Sequence, residues 1–506
     1  ETIITWTAND NSNEAGGYTD NTYAPVNAPL ILEFAGTTMN DPNRWQPLEF
    51  VEAFSQTGQP LTFTIQKYIG SHWREVWPFA LSREPAVMLY FDPGGPPQLE
   101  GDGDEEYKAG NAEVIRYSSL LDPSLAPQKD YSPGAIGNNP VGTNDGTGYA
   151  INPVTGAAYA PNLVNEGDFG RVIAEHWADG PDSETPPGHW NVIANEVVDH
   201  PSFERRFLGT GPVIEELEWD AKMYFLINAS VHDAAVAAWT CKREYDYVRP
   251  ISSIRYMGGQ GQSSDPAGPS YNEEGLPLVP DLIEVVTTST IQAGQRHDHL
   301  GPGAIDSIAV RAWQGEPADV ETQIGGVDWI LAEDWVPYQR DTFVTPAFAG
   351  YISGHSTFSR AAAEVLVRLT GSEFFPGGFS SHEVAAGELA FEAGPTAKVE
   401  LQWATYYDAA DQAGISRLYG GIHVPVDDGP GRIVGSECGI GAWKLGIKYF
   451  DGSILEERPR LTVTPLPGSQ FRLDWTQHRG LFYKVRRSGD LQGFTDEFPF
   501  VRASED

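Results

Sequence analysis

The sequence predicts a mainly α fold: a helical core, preceded by an irregular N-terminal region and followed by a small β appendage. Three observations carry this. Between about residues 168 and 450, apolar residues recur at three- and four-residue steps, the period of a helix with one buried face. Residues 1–165 instead break short Thr, Ile, Phe, Tyr and Trp runs with Pro and Gly. Residues 460–498 alternate polar and apolar side chains between glycine-containing turns, the pattern of half-buried strands. The division that follows is 1–165 packing on the core, 166–455 as the helical unit and 456–506 as the appendage.

In the first region, LTFTIQKYI (61–69) reads as a strand, and NRWQPLEF (43–50) and HWREVWPFAL (72–81) read as aromatic packing segments. Residues 100–165 read as loop. Their acidic DGDEE reads as solvated, with a structural calcium site as the alternative, although it lacks the spacing of a calcium loop. In the central block, VIEELEWDAKMYFLINASVHDAAVAAWTCKREYDY (213–247) holds neither Pro nor Gly and reads as one long helix or two in succession. STFSRAAAEVLVRLTG (356–371) reads as a helix stopped at Gly371. KVELQWATYYDAADQAGISRLYG (398–420) reads as another, and PVDDGPGRIVGSECGIGAWKLGIKYF (425–450) as a third, loosened by its glycines.

Composition narrows the function classes. Lys+Arg number 33 against Asp+Glu 70, a net charge of -37. Such a surface repels nucleic acid and anionic membrane, and no apolar run approaches the roughly 18 residues of a membrane span. Cys241 and Cys438 show no metal-binding spacing and read as buried free thiols, with pairing as the alternative. The chain begins at Glu1 rather than Met, so it reads as processed or trimmed. Acidity with two cysteines points to an exported protein, extracellular or periplasmic.

Where positive charge is scarce, basic residues gathered in one place need a reason. In KREYDYVRP (242–250), Lys242 and Arg249 are seven apart and share one helical face, with Pro250 ending the helix. In GYISGHSTF, Ser353 and Gly354 precede a helix, where free N–H groups and the helix dipole favour an anion. Gly354 allows close backbone approach, Ser353 can donate a hydrogen bond, and His355 can exchange a proton near neutrality. In SRLYGGIHVPVDD (416–428), Arg417 adds a third cation and Gly420-Gly421 turn the chain. His423 precedes a new helix, and Asp427 is placed to orient its ring. Taken singly, these read as a surface pair, an N-cap beside a packed histidine and a helix boundary.

In the order K-x6-R-P, S-G-H, S-R-x5-H-x3-D, the three stretches resemble the vanadium-dependent haloperoxidases and the related PAP2-type acid phosphatases, which share one oxyanion pocket. The motifs span 242–427, with weaker likeness from about 165 to 450. This resemblance implies a helix-bundle core of that type and vanadate (vanadium V) as cofactor. It implies that Lys242, Arg249, Ser353, Gly354 and Arg417 hold the vanadate oxygens, that His423 bonds the metal and that Asp427 fixes its tautomer. It further implies that His355 moves the proton and Lys242 polarises bound peroxide. Halide is then oxidised through peroxovanadate to hypohalous acid, which reaches a small organic acceptor.

EHWADGPDSETPPGHWNVIA (175–194) is similar to an upstream haloperoxidase segment and implies that Asp179 sits behind the pocket, paired with Arg417; the alternative is a loop acid in an Asp-Gly turn. Trp239 and Phe348 resemble the aromatic residues that line the pocket of the fungal chloroperoxidase type, against the alternative of plain core packing. Ile352 departs from the pattern, standing where many relatives have proline before S-G-H. The implied partners are hydrogen peroxide and halide, with no nucleic acid and no membrane span; the oligomeric state is left open. Two alternatives stand beside the haloperoxidase: a phosphatase in which His423 becomes a phosphohistidine, and a non-catalytic oxyanion-binding protein.

Overall fold

The structure is a computed structural model that describes residues 8, 10–18, 20–55, 58–82, 89–180, 183–454 and the strand segments 461–467, 470–475, 482–483, 486–487, 495–496 and 501–502. Among these residues there are eight α-helices: α1 (Asp104–Ser118), α2 (Glu166–His176), α3 (His189–Asp199), α4 (Glu216–Tyr245), α5 (Pro250–Gln260), α6 (Gly354–Thr370), α7 (Tyr406–Tyr419) and α8 (Pro425–Asp451). The fold is mainly α, as the periodicity predicts. Helices α4, α6 and α8 pack on one another, and α7 lies against α6.

Each core helix has a sequence reason. The region expected to be one helix or two is a single helix, α4. It begins with Glu216 and Glu218 and ends with Lys242 and Arg243, charges that complement the helix dipole at both ends. Helix α6 starts at the N-cap Ser353 and stops at Gly371, whose φ of 74 only glycine adopts at no steric cost. Helix α7 opens on a capping box, Thr405 with Asp408. Helix α8 opens with Pro425 at its first position. The glycines expected to loosen α8 instead let it approach α6. A Cβ on Gly431, Gly435 or Gly439 would lie 3.0, 2.1 or 2.5 Å from the carbonyls of Ser353, Thr357 and Ala361, so the two backbones meet where larger side chains would hold them apart.

Several expectations are corrected. The strand expected at 61–69 does not form; Ile65 makes only an isolated bridge to Glu49, because the neighbouring strand, Leu48–Glu49, is two residues long and offers no ladder to extend. The acidic stretch read as a loop is the start of α1. Gly103 turns the chain with φ 83, and Asp104, Glu105 and Glu106 occupy the first turn, where the dipole favours acids. Residues 398–405 are not helical: Val399–Trp403 is a strand that alternates buried with half-buried residues and pairs antiparallel with Ser380–Val384. The central block also carries a three-stranded antiparallel sheet, Ile283–Val285, Ile308–Trp313 and Val327–Leu331.

The aromatic packing segments of the N-terminal region do reach the interior. Trp45 packs edge-on against Tyr68 with ring centres 5.1 Å apart, and Leu30, Leu48, Phe50 and Val76 join the same hydrophobic core as the helices. Near the C-terminus, Leu461–Leu466 pairs antiparallel with Gln470–Trp475, and two further short pairs follow. Both cysteines are buried and free. Among the described residues no helix is long and apolar enough to cross a membrane.

Candidate active site

Lys242 lies in the last turn of α4. The sequence reading placed Arg249 on the same helix, ended by Pro250. Instead the chain leaves α4 at Asp246, whose φ is 47, and Arg249 is the N-cap of α5, where Pro250 takes the first position. A proline lacks an N–H but fits the first turn, so it starts this helix rather than stopping the last. The two cations still converge, because both grip one loop. Lys242 Nζ donates to the carbonyls of Ala349 and Gly350 at 2.8 and 2.7 Å, and Arg249 Nε donates to that of Phe348 at 2.9 Å. Gly350 is required here: a Cβ would sit 2.8 Å from the Val248 carbonyl and 3.1 Å from Asp427 Oδ2.

Two histidines meet these cations, and hydrogen-bond chemistry fixes the proton on each. His423 Nδ1 lies 2.7 Å from Asp427 Oδ2, while Nε2 lies 3.0 Å from Arg249 Nη1. A guanidinium only donates, so Nε2 carries the lone pair and Nδ1 the proton. His355 Nε2 lies 2.8 Å from the carbonyl of Trp177. A carbonyl only accepts, so this ring is protonated at Nε2 and its Nδ1 can take a proton. Arg417 Nη1 donates to the same Trp177 carbonyl at 3.1 Å, which ties the third cation to His355. Ser353 Oγ accepts from the Ser356 N–H at 3.3 Å, leaving its own proton to donate. The N–H groups of Gly354 and His355 belong to the first turn of α6, where no intrahelical acceptor exists.

Electrostatically, the site holds more buried positive charge than its acids offset. Lys242, Arg249 and Arg417 are all at most 3% exposed, as are His423 and Asp427. Burial, then the charge of Arg249, holds Lys242 well below the usual lysine range. Burial brings Arg249 and Arg417 down to about 10. Burial and the neighbouring cations hold His423 and His355 well below their ordinary value, so both rings are neutral. Burial also pushes the Asp427 carboxyl up to about 7, against the pull of Lys242 and Arg249. Arg249 Nη2 and Arg417 Nε are buried without a hydrogen-bond partner among the described residues. Buried N–H donors of this kind are costly unless something accepts from them. A small tetrahedral oxyanion matches the donors and the excess charge, so the residues present fit vanadate.

The expected lining residues are in place. Phe348 lies 4.7 Å from Trp239, ring centre to ring centre, and Lys242 Nζ and Arg249 Cζ each lie 5.1 Å from the Phe348 ring centre. A Cβ on Gly354 would meet Trp239 at 3.3 Å, so the glycine lets the indole close over the helix start. Ile352, where relatives have proline, is fully buried.

Asp179 sits in the turn after α2, in a left-handed conformation with φ 51. Arg417 acts on it through charge, but its carboxylate Oδ1 lies 2.7 Å from His189 Nδ1. Beside the expected arginine there is thus a histidine that the sequence reading quoted within EHWADGPDSETPPGHW and did not assign. It also passed over Trp177, whose functional atom is a backbone carbonyl and so leaves no side-chain signature.

The fold is a helical bundle with a buried cation cluster around two neutral imidazoles held between its helices. A family model described as the VCPO second helical-bundle domain matches residues 222–277 and 296–452. The fold is similar to that of a bacterial vanadium-dependent chloroperoxidase. Its apo form matches with a TM-score of 0.56 at 17% identity, covering 89% of this chain and 73% of that one. Its holo form gives 0.55 at 17% identity, covering 88% and 70%. No curated protein matches the sequence. Residues 222–277 and 296–452 thus match the VCPO second helical-bundle domain, and the fold is that of the vanadium-dependent chloroperoxidases.

Proposed function

We propose that the chain is a vanadate-dependent haloperoxidase, which consumes hydrogen peroxide, a halide and a proton and releases hypohalous acid and water. The observation that carries this reading is the pair of unpartnered guanidinium nitrogens, Arg249 Nη2 and Arg417 Nε, buried near an imidazole whose Nε2 carries the lone pair. Lys242, Arg249, Arg417, Ser353 and the N–H of Gly354 would hold the oxygens of vanadate, and His423 Nε2 would bond the metal. When bound, vanadate supplies a Lewis-acidic centre that activates peroxide without changing oxidation state.

The chain's own residues do the rest. Asp427 keeps the His423 proton on Nδ1, so the other nitrogen, which accepts from Arg249 here, would be the one to bond a metal. Trp177 fixes the His355 tautomer, leaving Nδ1 to accept and return the proton that the balance requires. Because burial and Arg417 keep this ring neutral, it can act as a base at neutral pH. Lys242, held on the carbonyls of Ala349 and Gly350, would offer its remaining hydrogen to an oxygen of the bound group. Trp239 and Phe348 wall the cavity with apolar surface, which limits water and strengthens each charge interaction.

The test is direct. The protein is incubated with orthovanadate and peroxide, and monochlorodimedone halogenation is measured with chloride, bromide and iodide. In parallel, p-nitrophenyl phosphate hydrolysis is measured without vanadate. Vanadate-dependent halogenation supports the proposal. Phosphate release without halogenation favours attack by His423 on phosphorus, and silence in both favours anion binding alone.

A further inference from the structure

Outside the anion pocket, three of the chain's 11 histidines gather in one patch. His176 closes α2, His189 opens α3 and His382 lies on the strand Ser380–Val384. The ring of His176 is 4.9 Å from that of His189 and 4.4 Å from that of His382. Two acids from the intervening turn join them. Nδ1 of His189 lies 2.7 Å from Asp179 Oδ1 and 3.4 Å from Glu184 Oε1, and one ligand atom from each of the three residues lies within 4.8 Å of the others.

We propose that Asp179, Glu184 and His189 form a binding site for a divalent transition-metal cation of the zinc class, with His176 as the adjacent imidazole. Zinc bonds to imidazole nitrogen and carboxylate oxygen run to about 2.0–2.2 Å, which sets ligand-to-ligand distances of roughly 3–3.6 Å. The two contacts of His189 lie just below and within that range, and the partly exposed Glu184 can adjust to complete the set. The imidazole among the ligands selects a transition metal over calcium or magnesium, which prefer all-oxygen sets.

Burial separates this cluster from an ordinary acidic surface. The Asp179 side chain is 1% exposed and that of His189 9%, while Glu184, at 33%, leaves an entry from solvent. An independent observation comes from His176. Its Nε2 is buried with no hydrogen-bond partner among the described residues, and burial and His189 keep the ring neutral, the form that binds metal. Binding through His189 Nδ1 requires only that the ring carry its proton on Nε2. The site stands apart from the anion pocket, yet the Trp177 ring stacks on His189 with centres 4.6 Å apart, and its carbonyl holds His355 and Arg417.

The test uses the whole chelator-treated chain, without vanadate, so it does not depend on the haloperoxidase reading. Zinc chloride is titrated by calorimetry, and cobalt(II) binding is followed by its visible absorption. The expected result is one equivalent bound, and an affinity at least about tenfold weaker in Glu184→Gln and His189→Ala. Glu184 is partly exposed, so its variant keeps the fold, which circular dichroism checks, and it decides the matter if His189→Ala is unstable. No zinc binding by the parent chain, or unchanged affinity in Glu184→Gln, overturns the proposal.

Discussion

Asp427 and Asp428 are neighbours in the first turn of α8, yet they face two opposite kinds of buried arginine. Asp428 belongs to a cluster in which Arg432 has an acceptor for every nitrogen. Nε and Nη2 reach the Asp428 carboxylate at 2.9 and 2.6 Å, and Nη1 reaches the Thr143 carbonyl at 2.9 Å. Asp411 lies 3.1 Å from the same guanidinium. Burial alone would lower the arginine, but Asp428 and Asp411 outweigh it, and the net shift is upward. On the other side, Asp427 faces Lys242 and Arg249, and both cations are shifted downward. Equal burial thus accompanies opposite electrostatics. A buried arginine that has been fully matched holds the fold together; one that has been left short of acceptors is kept for something else.

The sharpest way to break this contrast is to remove one arginine from each side. Arg432→Met strands two buried carboxylates and is expected to cost about 3–5 kcal/mol of stability in urea unfolding. Next come the pocket imidazoles. His423→Ala should weaken vanadate retention about a hundredfold or more in equilibrium dialysis, while His355→Ala should retain vanadate and lose turnover about a hundredfold. Equal loss of retention in both would mean that the two rings do not divide the work.

A smaller effect is expected from Arg249→Met. It removes a cation crowded by others but leaves the Phe348 and Ile422 carbonyls without a donor, so without vanadate it should cost about 1–3 kcal/mol; a loss larger than that of Arg432→Met would erase the contrast. The smallest effect is the pH dependence of the matched cluster. Burial pushes the Asp411 carboxyl up to about 6, so the folded chain keeps a proton that the unfolded chain releases near pH 4. The stabilisation is complete below about pH 4 and is lost as pH rises through about 6. Asp411→Asn should flatten the Tm profile across that window.

The helices of the core were legible because their apolar spacing and caps are local. Ser353, Gly371 and Pro425 announce the ends of α6 and the start of α8 by residue type alone. The pocket residues were legible as three short motifs, and the fold brings Lys242, Arg249, His423 and Asp427 together. What could not be read depends on chain path or backbone atoms. The turn at Asp246 redirects Arg249, and no spacing rule reports it. Val399–Trp403 adjoins a true helix and was absorbed into its pattern, although its own alternation is that of a strand. Asp104–Glu106 looked like a solvated run because acids suit both loops and helix starts. Trp177 and Phe348 act through carbonyls, which every residue has.

The grip of Lys242 and Arg249 on Phe348, Ala349 and Gly350 has one more consequence. The amines that would meet an incoming anion are already latched to the loop that carries the doorway ring. A guest that draws those hydrogens inward therefore slackens its own threshold, so entry and retention in this cavity are governed by one shared set of donors.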